Sequence, residues 1–199
     1  MGAVLMRGFG WTAHYMGVAY YSRRLPHWQP DGVPLFITWS LHGALPRKRF
    51  PPPEHASAGK AFVLMDRFLH RDTHGPRWMS GGDIATLVAG AIRFMAESQH
   101  VYDLHAWVVM PNHVHMLVTP LASPAKFMQS LKGYTAREAN RLLNRQGEQF
   151  WHRESYDHWV RGDEQYRRIA RYIEENPVSA GLVGRAEDYR WSSAYERRV

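Results

Sequence analysis

Hydrophobic residues alternate with polar residues in three segments of the chain, and this period of two predicts β-strands. The segments are rich in β-branched and aromatic residues, and they read GVPLFITWSL (32–41), DLHAWVVM (103–110) and HVHMLVTP (113–120). Pro111 and Asn112 separate the last two segments and are typical of a turn, so these two strands are predicted to form a hairpin.

Three other segments carry apolar residues at helical spacing. A first helix is predicted over 80–98 and a second over about 123–144. A third is predicted to begin at Asp163, which suits an N-cap, and to stop at Asn176 because Pro177 follows. The order strand, helix, hairpin, helix, helix predicts an α+β fold, with a ferredoxin-like antiparallel sheet and helices packed mainly on one face.

The chain is predicted to consist of a leader and one domain. Residues 1–31 are rich in aromatic residues and Arg, and we expect a loop-rich leader there. A single domain is predicted over 32–195, because 199 residues suit one core better than two. This domain contains a basic, proline-rich insert at about 46–80, and the segment 150–161 is expected to be irregular.

Composition narrows the class of partner. The 25 Lys and Arg residues outnumber the 18 Asp and Glu residues, and the net charge of +7 favours a polyanion such as nucleic acid. Cysteine is absent, which excludes disulfides and thiolate-bound metals and favours the cytoplasm. The longest stretch without Lys, Arg, Asp or Glu, from Leu104 to Ala125, contains prolines that exclude a membrane helix, so no membrane partner is expected.

Two histidines of the third predicted strand, His113 and His115, are candidate metal ligands. Residues two apart in a strand point to the same side, so both imidazoles project together while Val114 and Met116 face the other way. Imidazole is the commonest metal ligand in proteins, and a strand would hold such a pair rigidly. The alternative is that one or both rings only form hydrogen bonds within a half-buried sheet.

Several known kinds of metal site suit the sequence less well. A cupin-type site needs a carboxylate shortly after the histidine pair, and residues 116–126 contain none. An amidohydrolase barrel of eight strand–helix units exceeds the length of the chain, and a zinc finger needs more soft ligands. A two-ligand site on a small sheet leaves coordination positions open for substrate oxygens, which suits phosphate chemistry.

Two tyrosines are candidate nucleophiles. Tyr172 lies at the margin between the apolar stripe of the third helix and its charged face, so packing can hold the ring while the hydroxyl stays accessible. Asn176 follows one turn later, and its carbonyl oxygen can complete a metal shell. Tyr134, on the second helix, is the alternative nucleophile. For both tyrosines the other interpretation is a ring that only seals the edge of the core.

Basic side chains on the second and third helices are candidate contacts to nucleic-acid phosphates. On the second helix arginines recur every fourth residue, and further arginines flank Tyr172 on the third. The candidate DNA-binding residues are Lys132, Arg137, Arg141, Arg145, Arg168 and Arg171. The alternative interpretation is an ordinary solvated helix face.

Several motifs in combination resemble one known family. MPNHVHMLV (110–118) resembles the histidine–hydrophobic–histidine signature of the single-tyrosine HUH nucleases. Together with SLKGYTAREANRLL, FWHRESYDHWVR and YRRIARYIEENPVSAGLV, in that order, it resembles the REP-associated tyrosine transposases of the IS200-like transposase superfamily. The resemblance covers the chain from about Leu35 to Ala194.

The resemblance implies a fold, a function and a role for each candidate residue. His113 and His115 match the metal-binding pair, Tyr172 matches the nucleophilic tyrosine, and Asn176 matches a further polar ligand. The fold would be that of the HUH endonucleases and the ion Mg²⁺ or Mn²⁺. The substrate would be single-stranded DNA next to a hairpin of the REP type, cleaved through a 5′-phosphotyrosine intermediate. The protein would act in the nucleoid, as a monomer or a homodimer.

Three other hypotheses fit the same residues. A domesticated module of this fold would bind hairpin DNA without cutting it. A metal hydrolase of another class would turn over small phosphoesters without forming a protein–DNA bond. Purely structural roles for His113 and His115 would leave the fold without a metal site.

Overall fold

Four strands form one antiparallel sheet in the computed structural model, which describes residues 32–45, 66–70 and 75–198. The strands are β1 (Leu35–Ser40), β2 (Tyr102–Val109), β3 (His113–Pro120) and β4 (Tyr156–Trp159). They lie in the order β2-β3-β1-β4, and each neighbouring pair is antiparallel. This is the strand order of a ferredoxin-like sheet, so the predicted fold class is confirmed.

Helices follow the strands in the order that the sequence predicts. The named helices are α1 (Gly82–Glu97), α2 (Pro124–Leu142), α3 (Asp163–Ser179) and α4 (Ser193–Glu196). Short 3₁₀ turns occur at Trp78–Ser80 and Ala186–Asp188, and residues 66–70 are also helical. Thus α1 separates β1 from the β2–β3 hairpin, α2 follows the hairpin, and α3 follows β4.

Part of the predicted domain organisation lies outside the described residues. This holds for the leader at 1–31 and for most of the insert at about 46–80, of which 66–70 and 75–80 are described. Within the described ranges, no helix combines the length and the apolar character needed to cross a membrane.

One face of the sheet packs against α1 and α2. Trp39 of β1 pairs with Val114 of β3, and cross-strand partners point to the same face. The ring of Trp39 lies 6.1 Å from that of Trp151, whose indole N–H donates to the hydroxyl of Thr135 in α2 over 2.9 Å. Because α1 packs beside α2, these two helices bury the same face.

The opposite face packs against α3. The alternate residues of β1 point toward this side, where Phe36 pairs with Leu117 and Thr38 pairs with His115. The ring of Tyr172 in α3 lies 6.4 Å from the ring of Phe36 and 5.6 Å from that of His115. Two of the three long helices therefore share one face, as predicted, and the third lies over the histidines.

The expectation of an irregular segment over 150–161 was wrong, because β4 lies within it. This strand pairs with the edge of β1, with Phe36 opposite His158 and Ile37 opposite Asp157. All four residues of β4 are half-buried. Their sequence, YDHW, lacks the alternation of hydrophobic and polar residues that is typical of a strand with one solvent-exposed face. A short edge strand gives too weak a pattern for the sequence to predict.

The predicted bounds of the third helix were also wrong in detail. α3 continues past Pro177 to Ser179, and the N-cap is Gly162 while Asp163 is the first helical residue. Pro177 has no N–H to donate to the carbonyl of Ile173, and the helix nevertheless continues for two further residues before it ends. The carboxylate of Asp163 still suits the helix start, because it faces the positive end of the helix dipole.

Candidate active site

The two predicted metal ligands lie side by side in β3. The side chains of His113 and His115 are both fully buried, and their ring centroids are 4.6 Å apart. Their alternation with Val114 and Met116 places the apolar side chains in the core against α1 and α2 and turns both imidazoles toward α3.

The Nδ1 atom of each imidazole faces a polar partner. Nδ1 of His115 lies 2.7 Å from Oγ1 of Thr38 on β1, and Nδ1 of His113 lies 2.7 Å from Oδ1 of Asn112. The amide N–H of Asn112 donates to the carbonyl of Leu69 over 2.9 Å, which turns its oxygen toward His113. These partners fix the ring orientations and direct both Nε2 atoms toward one place, as partners of metal-binding histidines do.

The carboxylate of Asp66 lies at that place. Its Oδ1 atom is 3.0 Å from Nε2 of His115 and 3.3 Å from Nε2 of His113. His70, one helical turn later, lies 3.3 Å from the other carboxylate oxygen and 2.9 Å from Oδ1 of Asn176. The segment 66–70 thus adds a carboxylate and a third imidazole to the predicted pair.

The predicted nucleophile reaches the same carboxylate. The hydroxyl of Tyr172 donates a hydrogen bond to Oδ2 of Asp66, and the amide of Asn176 lies 3.4 Å from that oxygen. The aromatic ring packs against Phe36 and His115. The structure therefore brings the histidine pair, Tyr172 and Asn176 together, with Asp66 between them.

Burial and mutual contacts set the charges of this group. Burial alone would raise the pKa of Asp66, but His115 and His113 outweigh it and hold the pKa of this carboxyl far below its usual range. Burial lowers the pKa of His113, and the neighbouring carboxylate of Asp66 offsets part of that effect. Burial and the negative charge of Asp66 raise the pKa of Tyr172 well above its usual value. The group thus combines a carboxylate, a neutral imidazole and a protonated phenol at neutral pH.

This donor set suits a divalent cation. Because Asn112 accepts from Nδ1 of His113, the Nε2 atom of that ring presents a lone pair. This buried Nε2 has no hydrogen-bond partner among the described residues, although Asp66 lies 3.3 Å away. A lone pair and a carboxylate oxygen repel at this distance unless a cation lies beside them. Asp66, His70 and His113 offer ligand atoms that all lie within 4.8 Å of one another.

The other predicted residues lie elsewhere. Tyr134 is 46% exposed on α2, on the side of the sheet away from the histidines, and the guanidinium of Arg137 lies 5.7 Å from its ring. Arg137 and Arg141 both pair with Glu138 on the same helix. The structure does not bring this part of α2 next to His113 and His115.

Lys132 and Arg145 have partners of their own. The ammonium of Lys132 donates to the carbonyl oxygens of His152 and Arg153 and to the hydroxyl of Ser155. These bonds attach the segment before β4 to α2. Arg145 pairs with Glu148 and lies 3.8 Å over the ring of Trp78. By contrast, Arg168 and Arg171 are exposed on α3 and form no ion pair with any residue in the described ranges.

Sequence reasoning missed Asp66 and His70. The segment around them was interpreted as part of the basic, proline-rich insert. One signal was available, because a carboxylate and an imidazole four residues apart share one face of a helix. That spacing is common on exposed helices, and only the fold shows that this face meets β3.

Comparisons with known sequences agree with the motifs. Residues 79–176, about half of the chain, match the family model described as IS200-like transposase. A REP-associated tyrosine transposase of Escherichia coli (strain K12) is 30% identical over 96 residues, which are 46% of this chain and 54% of that protein. The match thus spans about half the length of this relative.

Solved structures give a likeness over most of the chain. A REP-associated tyrosine transposase bound to a REP hairpin aligns with 87% of this chain and 83% of its own, at a TM-score of 0.56 and 16% identity. A candidate transposase from Deinococcus radiodurans R1 aligns with 78% of this chain and 98% of its own, at a TM-score of 0.42 and 17% identity. The first likeness shows the α+β fold. The match over 79–176 and the curated relative show that this part of the chain is similar to the IS200-like transposases, and the predicted resemblance to the REP-associated tyrosine transposases is confirmed.

Proposed function

We propose that the protein is a metal-dependent endonuclease and strand transferase that acts on single-stranded DNA next to a REP-type hairpin. Tyr172 is the nucleophile. The observation that carries this proposal is the convergence of the Tyr172 hydroxyl, both imidazoles of β3 and Asn176 on the carboxylate of Asp66. Three separate parts of the chain contribute to this group, and a merely structural histidine pair would not need a phenol at the same place.

His113, His115 and Asn176 are the proposed ligands of Mg²⁺ or Mn²⁺. An ion held there would supply positive charge to a non-bridging oxygen of the scissile phosphate. The protein fixes the orientation of both imidazoles, because Thr38 and Asn112 form hydrogen bonds with their Nδ1 atoms. The proposal fits the unpartnered lone pair of His113.

The covalent step forms a bond between Oη of Tyr172 and phosphorus and breaks the bond from phosphorus to the 3′ oxygen. The product is a 5′-phosphotyrosine and a free 3′-hydroxyl, and the phenolic proton passes to the solvent or to the leaving oxygen. Asp66 already accepts this proton in a hydrogen bond, which orients the hydroxyl before attack. Because the new ester replaces the old one, a second 3′-hydroxyl can reverse the step and join strands without ATP.

Two sets of basic residues are proposed to contact DNA. Arg168 and Arg171 lie on the exposed side of α3 next to Tyr172, and we assign them to the phosphates of the cleaved strand. The α2 set consists of three residues on α2 and one just after its end: Lys132, Arg137, Arg141 and Arg145. It lies across the sheet and is assigned to more distant DNA such as the hairpin stem. Within the α2 set, Lys132 is used mainly to hold the segment before β4.

Trapping a covalent adduct tests the proposal. The full chain is incubated with Mn²⁺ and a single-stranded oligonucleotide carrying a hairpin, and the products are separated under denaturing conditions. We expect a protein–DNA adduct that maps to the peptide containing Tyr172, is abolished by Tyr172→Phe and survives Tyr134→Phe. Recovery of DNA on Tyr134, or hairpin binding without any adduct over varied oligonucleotides, would contradict the assignment. The second result would favour the non-cleaving module.

A further inference from the structure

We propose that Asp66 and His70 bind the same ion as His113 and His115, and that this donor set selects Mn²⁺ over Mg²⁺. The inference rests on the proposed function in placing an ion at the site. It extends that function with two ligands from a segment outside the residues 79–176 that match the family model.

The donor atoms are spaced like neighbouring ligands of one ion. Asp66 Oδ1 lies 3.0 Å from Nε2 of His115 and 3.3 Å from Nε2 of His113. Nε2 of His70 lies 3.3 Å from Asp66 Oδ2 and 2.9 Å from Asn176 Oδ1. Ligands bound side by side to one ion at about 2.1 Å lie about 3.0–3.4 Å apart. The side chains of Asp66, His113 and His115 therefore need little rearrangement to share a cation. His70 donates from Nε2 to the amide oxygen of Asn176, so it must move this proton to Nδ1 and release that bond when Nε2 binds the ion.

Hydrogen bonds also occur at these distances, so the partners of each His113 nitrogen distinguish the two interpretations. The Nδ1 atom of His113 donates to Oδ1 of Asn112 over 2.7 Å. Its buried Nε2 has no hydrogen-bond partner within the described ranges, although Asp66 Oδ1 lies 3.3 Å away. A cation satisfies this nitrogen and the carboxylate together, which a hydrogen bond does not.

The segment 66–70 is attached to the histidine strand, so its ligands are held in place before an ion arrives. Asp66 and His70 are one helical turn apart and project on the same side. The carbonyl of Leu69, between them, accepts the amide N–H of Asn112 over 2.9 Å. Asp66 is only 3% exposed, so its charge is held away from bulk water, where a bound cation would offset it most strongly.

The chemistry of the donors selects the metal. Mg²⁺ requires mostly oxygen ligands and keeps much of its water shell. Three imidazoles with one carboxylate suit first-row transition ions, which accept nitrogen donors. Asp66, His70, His113 and His115 supply three nitrogens and a carboxylate, and Asn176 adds one amide oxygen. Because nitrogen donors form the majority of this set, we expect Mn²⁺ to bind about 100-fold more tightly than Mg²⁺.

Calorimetric titration of the DNA-free full chain with Mn²⁺ and with Mg²⁺ tests this inference. We expect one Mn²⁺ per chain, and a loss of affinity of about tenfold or more in both Asp66→Asn and His70→Gln. Gln at position 70 can still donate to Asn176 but is a poor ligand. Matched controls are Asp103→Asn and His105→Gln, which change an exposed carboxylate and a β2 imidazole bonded to Thr119. Both controls should bind Mn²⁺ as the unchanged chain does.

Circular dichroism shows whether each variant folds. If Asp66→Asn does not fold, the Mn²⁺ affinity of His70→Gln tests the inference instead. Unchanged Mn²⁺ affinity in folded His70→Gln and Asp66→Asn, or equal affinity of the unchanged chain for both ions, would overturn the inference. The adduct experiment is independent of this titration. Metal selectivity that depends on Asp66 and His70 would stand even if no DNA were cleaved.

Discussion

Oγ1 of Thr38 lies 2.7 Å from Nδ1 of His115, across the pairing of β1 with β3. A hydroxyl can donate to this nitrogen or accept from it, so Thr38 can support either tautomer of the ring. In the structure Nε2 of His115 forms a hydrogen bond with Asp66, and the Thr38 hydroxyl is the hydrogen-bond partner of the other ring nitrogen, Nδ1. When Nε2 binds a cation, the proton must move to Nδ1, and the same hydroxyl accepts it.

The first prediction follows from this contact. Thr38→Val keeps the shape of the side chain and removes the hydroxyl, so we expect Mn²⁺ affinity to fall by about 10–100-fold while the fold is retained. Titration calorimetry measures the effect. Thr119→Val is the matched control, because Thr119 makes a bond of the same length to His105, away from the site. Equal Mn²⁺ affinity in the two variants would contradict the proposed role of Thr38.

The second prediction concerns Phe36, which contacts three aromatic rings on the α3 side of the sheet. Its ring lies 5.8 Å from His115, 6.2 Å from Tyr156 and 6.4 Å from Tyr172. Phe36→Leu should lower the free energy of unfolding by about 1–3 kcal/mol, because it leaves space among these rings. It should also slow adduct formation, because Tyr172 loses the surface that fixes its ring.

Urea unfolding and the rate of adduct formation measure these two effects of Phe36→Leu. Phe127→Leu is the control, since Phe127 is equally buried but packs on the α1 and α2 side, 5.0 Å from Tyr102. It should cost similar stability and leave the adduct rate unchanged. A similar loss of rate in both variants would mean that general loosening, rather than the position of Tyr172, limits the reaction.

The third prediction is that the protein loses stability as the pH falls below about 6.5. Burial lowers the pKa of His70, His105, His113, His152 and His158 below that ordinary value. Between the folded pKa values and 6.5 the unfolded chain binds more protons than the folded chain, so protonation favours unfolding there. The stability that the neutral histidines contribute to the folded state is fully present above pH 6.5, and it is lost as the pH falls through their folded pKa values.

Thermal unfolding in the presence of a chelator measures this dependence, from about one pH unit above the ordinary histidine pKa to about 1.5 units below it. His105→Gln keeps a partner for Thr119 and removes one titrating ring, so its melting temperature should fall less steeply with pH. A melting temperature that rises as the pH falls to 5.0 would show that the histidines do not dominate in this range.

The fourth prediction separates the two sets of arginines. Arg171→Gln should reduce the salt dependence of binding to a short single strand without a hairpin, by about 0.7 in the slope of log K against log salt. Arg141→Gln should leave that slope unchanged and alter binding only when a hairpin is present, because α2 lies across the sheet from Tyr172. Fluorescence anisotropy at several salt concentrations measures both slopes. A change for Arg141→Gln on the short strand would reassign the α2 set to the cleaved strand.

Much of the fold follows from local patterns in the sequence. The alternation in 113–120 predicts β3 and places His113 and His115 on one face, because the period of a strand is two. The helical spacing around Ile84 and Val88 predicts α1. Tyr172 and Asn176 were placed on one side of a helix by the same argument, and the structure brings both to the histidines.

The rest depends on contacts between distant parts of the chain. Asp66 and Tyr172 are separated by 106 positions, and no periodicity relates a helical segment before α1 to the last long helix. β4 was missed because a four-residue edge strand is defined by its partner, β1, rather than by its own pattern. The sequence also does not say which face of the sheet a helix covers, so it could not show that the arginines of α2 lie across the sheet from the histidines.

The order of these parts along the chain has a consequence for biosynthesis. The strand that carries both imidazoles, β3, is complete once residue 120 has been synthesised, but Tyr172 is added only with α3. A nascent chain, or one cut short before α3, would therefore offer a histidine-bearing sheet that lacks its attacking group. Under the proposed mechanism a chain that ends before residue 172 cannot break a DNA strand, and the cell is exposed to cleavage only after α3 has been synthesised.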